Sequence, residues 1–193
     1  MTETAHTPSS KRDDLIEAAL RLFDRDGYRA TGIDAIIAEA GVAKMTLYKH
    51  FASKDDLIVA ALERQADAQI AQLDERCRAM AETPRDLPLA IFDVLEQKCG
   101  CHDWRGCLFQ RAAGEFAEAD DPVHAVAAGY NRRLAAMLER FVREAGVPNP
   151  EPFADQLLVL VAGALALAGA GCTARPVRAA RAAAAKLLAD ALA

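Results

Sequence analysis

Four side chains with metal or redox chemistry fall within nine positions: Cys99, Cys101, His102 and Cys107. Three thiols and an imidazole could hold zinc or another soft-ligand metal, and Cys101 with Cys107 could form a redox pair. The Cys-x-Cys-His spacing lacks the CxxC hairpin of common zinc sites, so plain packing is the competing reading. A second group lies earlier. From Gly41 to Lys54 there are three lysines and no acid, a local charge of +3, with Tyr48 and His50 interleaved. Such a patch suits phosphate contacts, and solvated lysines on an ordinary helix pair are its alternative.

Other chemistries are poorly supplied. Only Ser9, Ser10 and Ser53 are serines, so a serine hydrolase has almost no nucleophile to use. No GxxxxGK[ST] loop is present. Gly169 to Ala174 formally matches GxGxxA, but it follows an Ala/Leu helical run rather than a strand. Neither an enzyme nor a cofactor is expected.

The 193 residues carry a net charge of −5, and 52% of them are hydrophobic. That is enough to build a core, and it argues against a disordered chain. Val, Ile and Thr total only 24 while alanine is abundant, which favours helices over sheets. The first fourteen residues contain no apolar run of the kind a secretory signal needs. The longest apolar stretch, Leu157 to Cys172, is interrupted by three glycines and reads as too short to span a membrane. A cytoplasmic location with reduced thiols is the expectation. The net charge at first disfavours nucleic acid, but it is unevenly spread. Residues 1–54 hold eight basic and eight acidic side chains, so residues 55–193 carry the whole excess.

Helix signals punctuate the chain. Ser10 with Asp13, Thr31 with Asp34 and Ser53 with Asp56 each read as a helix start with a capping side chain. Gly27 and Gly41 read as stops. A long helix from Ser53 carries the stripe Ile58, Leu62, Ala66, Ile70, Leu73, Cys77 and Met80, spaced by three and four. Further helices are expected over 87–99, 107–117, 121–145, 152–171 and 176–192. The fold class is all-α: an N-terminal three-helix domain (1–54) and a C-terminal helical domain (55–193).

The short helices 31–40 and 44–50, joined by a glycine turn, make a helix-turn-helix. On the second, Val42, Leu47 and Phe51 should pack inward while Lys44, Met45, Thr46 and Lys49 face out. At these residues the chain resembles the TetR/AcrR family of bacterial transcription regulators. The resemblance is carried by Leu15 to Leu57, LIEAALRLFDRDGYRATGIDAIIAEAGVAKMTLYKHFASKDDL. It implies DNA contacts from Thr31, Lys44, Met45, Thr46, Tyr48, Lys49, His50 and Lys54, with Lys44, Met45, Thr46 and Lys49 reading sequence. Lys11 and Arg12 could act as an arm or simply lie in solvent. Ala43 departs from the serine often found there and forgoes a cap on the recognition helix.

The resemblance further implies a homodimeric repressor on a palindromic operator, released by a small effector. The dimer would form through helices at about 152–171 and 176–192. Its seam would use Ala154, Leu157, Leu158, Val161, Ala162, Leu165, Ala168 and Gly169, with Ala179, Ala182, Ala183, Leu187 and Leu188. For an apolar or aromatic effector, the candidate lining is Phe92, Leu95, Cys99, Trp104, Phe109, Phe116, Tyr130 and Met137, with His124 and Asn131 as polar anchors. The effector's identity and the operator's sequence are not written in the chain.

Overall fold

The computed structural model describes residues 10–100, 104–171 and 173–193, and every regular element among them is helical. Three helices open the chain: α1 (Lys11–Asp26), α2 (Ile33–Ala40) and α3 (Lys44–His50). Six follow: α4 (Lys54–Met80), α5 (Leu87–Cys99), α6 (Leu108–Glu115), α7 (Pro122–Glu144), α8 (Pro150–Gly171) and α9 (Arg175–Ala191).

Two of the three capping signals act as the spacing predicts. The hydroxyl oxygen of Ser10 accepts the Asp13 N–H at 3.2 Å, and that of Ser53 accepts the Asp56 N–H at 3.0 Å. The Ser10 hydrogen bond, aided by Arg64, holds the Asp13 carboxyl below its usual range. Thr31 is different. Gly32 is the N-cap of α2 and offers no side chain, while the Thr31 hydroxyl turns inward and donates to the Gly27 carbonyl at 2.6 Å. The left-handed backbone needed to leave α2 is supplied by Gly41, at φ +64°.

The α1–α3 unit is built on Leu15, Ala19, Phe23, Tyr28, Ile36, Leu47 and Phe51, all buried. Along α4 the predicted stripe is buried at Ile58, Leu62, Ala66, Leu73 and Cys77; Ile70 is half-buried and Met80, the last helical residue, is exposed. Charged pairs bind the long helices side by side. Arg64 of α4 reaches Asp13 and Glu17 of α1, and Arg78 forks onto Glu144 of α7 with two 2.8 Å bonds.

The α8 helix corrects two expectations. Its glycines do not interrupt it, and at 22 residues it is long and apolar enough by composition alone to cross a membrane. It instead packs between α7 and α9, with 39% of its most apolar window buried. Much of the seam predicted for dimerisation on α8 is also turned inward, whereas Ala179 and Ala182 of α9 stay exposed. Ala154, Leu157, Val161, Leu165 and Ala168 are buried within the chain against those neighbours, and Leu188 of α9 joins them. The outward ridge of α8 is Val159 (71% exposed), Gly163, Ala166, Leu167 (65%) and Ala170.

Gly169 belongs to packing. A Cβ there would stand 3.1 Å from the Gly106 Cα, in a loop whose own φ is +100°. The two glycines let α8 and the strand of chain entering α6 touch backbone to backbone.

Candidate nucleic-acid interface and effector cavity

The α3 helix presents two faces, as its residue pattern requires. Leu47 and Phe51 are buried and Val42 is half-buried. Met45 is 79% exposed, Lys44, Tyr48, Lys49 and His50 are exposed, and Thr46 is intermediate. Ala43 sits at the N-cap with extended dihedrals and no capping side chain, so the first turn of α3 lacks that bond. Lys44 is held by Asp34 at 3.1 Å. Part-buried Lys54 donates to the Arg29 carbonyl at 3.2 Å, and burial pulls its ammonium below the usual lysine range. Arg12 lies over the Phe51 ring at 5.2 Å. Thr31, only 2% exposed, does not belong with these outward residues, because its hydroxyl is spent inside.

Beneath this unit lies a cavity of about 360 Å³ between α1, α4, α5, α7 and α8. Of the residues named from sequence, Leu95, Trp104 and Tyr130 line it. Phe92, Cys99, Phe109, Phe116 and Met137 are buried core and do not. Phe109 stacks on Tyr130 at 3.8 Å, forming the layer behind the wall, and Phe116 lies edge-on to Tyr28. His124 places Nδ1 2.9 Å from the Phe116 carbonyl, and Asn131 is exposed; neither reaches the cavity. The polar lining comes instead from Arg21, Asp24, Gln65, Gln69 and Lys98. Gln69 donates to the Tyr130 hydroxyl at 2.9 Å, and burial pushes that phenol well above its usual range. The four-residue spacing of Gln65 and Gln69 beside the α4 stripe was the legible signal for this wall.

Cys101 and His102 lie outside the described residues. Cys99 is buried, and burial raises the Cys107 thiol above its usual range, which disfavours the thiolate that metal binding or redox chemistry requires.

Between cavity and interface stands α6. Leu108 and the preceding Gly106 and Cys107 line the cavity. Arg111 donates to the Phe23 carbonyl at 3.1 Å and the Asp24 carbonyl at 2.8 Å, closing the C-terminal end of α1. The Glu115 carboxylate accepts the N–H of Tyr28 at 3.1 Å and of Arg29 at 2.7 Å. The Arg29 guanidinium returns to the Glu115 carbonyl at 2.8 Å and covers the Phe116 ring at 4.8 Å. Tyr28, wholly buried, donates its hydroxyl to the Leu108 carbonyl at 3.0 Å. On its other side, Gln110 donates to the Ala162 carbonyl of α8 at 2.9 Å. None of these links was apparent from spacing, since the partners lie from 52 to 88 residues apart.

The family model for bacterial regulatory proteins of the tetR family matches residues 15–61. The HTH-type transcriptional activator FasR of Mycolicibacterium smegmatis is 35% identical over 99 residues, half of this chain but only 43% of that protein. The HTH-type transcriptional repressor NemR of Escherichia coli is 26% identical over 136 residues, 70% of this chain and 68% of the repressor. Among solved structures, a TetR transcriptional regulator from Streptomyces avermitilis is 30% identical. It superposes with a TM-score of 0.76 over 91% of this chain and 98% of its own. SCO4454, a TetR-family transcriptional regulator from Streptomyces coelicolor, is 26% identical with a TM-score of 0.82 over 95% and 96% of the two chains.

Proposed function

Because the chain belongs to the TetR family of bacterial regulatory proteins, it is a helix-turn-helix transcriptional regulator, and we propose that it acts as a homodimeric, ligand-released repressor. The observation that carries this reading is the position of α6. One end borders the cavity and the other holds the α1–α2 corner through Arg111 and Glu115. An occupant that displaces the Gly106–Leu108 wall would therefore tilt the unit that carries α3. A ligand that fits the displaced state better moves the equilibrium toward it, by as much as its affinities for the two states differ.

Dimerisation supplies the second half-site. The ridge Val159, Gly163, Ala166, Leu167 and Ala170, with Ala179 and Ala182 of α9, is apolar, small and uncovered. Two copies of such a surface can pack closely as a four-helix bundle. On DNA, Met45, Tyr48, Lys49 and His50 of each copy would face one major groove, with Lys44 and Thr46 beside them, and Lys54 would lie near the backbone.

Selection of bound fragments from random duplex DNA tests the proposal. The expected outcome is an inverted repeat with half-sites about one or two helical turns apart, bound by two chains. Recovery of no sequence, or of isolated half-sites bound by one chain, would refute it.

A further inference from the structure

We propose that the cavity takes an amphiphilic anion, a carboxylate carried on an apolar body; this rests on reading the cavity as the effector site. The interior is apolar, walled by Leu73, Ile91, Leu95, Leu134, Val161 and Leu165. Its charged lining is unbalanced. Arg21 is held by Glu39 at 2.9 Å, and Asp24 by Arg111 at 3.4 Å. Lys98 has no carboxylate partner among the described residues, although α5 carries two acids. Both turn the other way: Asp93 pairs with Arg181 of α9 at 2.6 Å, and Glu96 with Arg178 at 2.9 Å.

Lys98 also borders a second hollow between α4 and α5, lined with Gln69, Gln72, Leu73, Arg76 and Gln97. Arg76 is steadied there by the Gln97 amide oxygen at 2.9 Å, a neutral partner that leaves its charge uncompensated. Among the described residues, two cations and three amides, without a carboxylate, thus line a hollow that shares Gln69, Leu73 and Lys98 with the apolar cavity.

This lining discriminates by charge. A carboxylate can accept from the Lys98 ammonium and the glutamine amides, and such charge-assisted bonds are about twice as strong as neutral ones. A neutral apolar ligand would strip water from the ammonium and return nothing. A cationic head would meet two like charges. At about 30 Å³ for each water-sized heavy atom, the cavity holds about a dozen heavy atoms. Sodium decanoate has that size and is the probe.

Trp104, the single tryptophan of the chain, lines the cavity and reports its occupancy by fluorescence. The intact protein is titrated at constant salt with decanoate, 1-decanol and decyltrimethylammonium, each below its aggregation threshold. Decanoate should saturate the signal at a concentration about tenfold or more below that of decanol, with the ammonium weakest. In Lys98→Met, which keeps the apolar stem, decanoate should fall to the level of decanol while decanol is unchanged. Arg76→Gln, on the opposite wall, should reduce the preference in the same direction. If decanol or the ammonium binds as well as decanoate, or the preference survives both substitutions, the charge inference is overturned and the effector cavity stands. If no probe perturbs Trp104 although the protein binds selected DNA, the inference falls together with the effector reading.

Discussion

Replacing Glu115 with alanine should loosen the tie between the DNA-reading unit and α6 at Tyr28 and Arg29 without unfolding either, since the Arg111 and Tyr28 hydroxyl links remain. The wild-type carboxylate accepts two backbone N–H groups, from Tyr28 at 3.1 Å and Arg29 at 2.7 Å. A hydrogen bond to a charged group contributes about 1.5–3 kcal/mol, and a buried donor left without a partner costs about 1–3 kcal/mol. The two donors are not equivalent. The Arg29 N–H is exposed, so water replaces the lost acceptor and little is forfeited. The Tyr28 N–H belongs to a residue with no exposed surface and suffers most of the loss. The sum is about 2–3 kcal/mol, a large fraction of the 5–15 kcal/mol that holds a typical domain folded. Hydrogen exchange followed by mass spectrometry resolves where this loss falls. Peptides containing Tyr28 and Arg29 should exchange about 30- to 140-fold faster, at 1.4 kcal/mol per decade, while peptides from α7 keep their wild-type protection. Unchanged exchange at Tyr28, or an equal acceleration in α7, would refute the argument that this carboxylate is a local tie.

Three further outcomes follow from the same geometry. Ala43→Ser should add the missing N-cap of α3, raising stability by about 1 kcal/mol and slowing exchange in α3; a neutral or lower midpoint in urea would count against it. Gly169→Ala should destabilise by about 1–3 kcal/mol, because its Cβ would meet the Gly106 Cα at 3.1 Å and both contacting groups are backbone. Wild-type stability would show that the two chains can separate freely there. Leu167→Glu should convert a dimer to a monomer in light scattering while leaving the circular dichroism unchanged, since that side chain is 65% exposed in the single chain; a persistent dimer would place the seam elsewhere.

Local signals were legible and long-range ones were not. Capping at Ser10 and Ser53, the stop at Gly41 and the two faces of α3 each depend on neighbours within four residues, and the chain displays them. Thr31 misled because a threonine hydroxyl can also bond backward to the carbonyl four residues earlier, here Gly27, and the spacing to Asp34 does not reveal which it does. Three of the aromatic residues named for the cavity, Phe92, Phe109 and Phe116, misled for another reason, whereas Trp104 and Tyr130 do line it. A large side chain fills dense core as readily as it walls a cavity, and its type alone does not say which. The rest of the wall includes aliphatic and glutamine positions on and beside the α4 stripe, such as Leu73, Gln65 and Gln69. On α8, apolar character on nearly every face left no polar stripe to show which side turns inward.

The cavity also ignores the boundary between residues 54 and 55. Leu20, Arg21 and Asp24 of α1 form one wall, so an occupant touches the reading unit directly as well as through α6. The energetics make this useful and still insufficient for one chain. Moving a population from 99:1 to 1:99 takes about 5.5 kcal/mol of differential binding. A tie of about 2–3 kcal/mol, such as Glu115 supplies, shifts one protomer only about 30- to 140-fold. In the proposed dimer, two protomers joined through α8, itself bonded to α6 at Ala162, would bring the sum to about 4–6 kcal/mol. Release from DNA should therefore depend on both cavities filling, and its dose response should be sigmoidal, with a Hill coefficient between one and two. Complete release along a simple hyperbola would mean that a single occupied site suffices, and that the coupling per chain is about twice what these bonds provide.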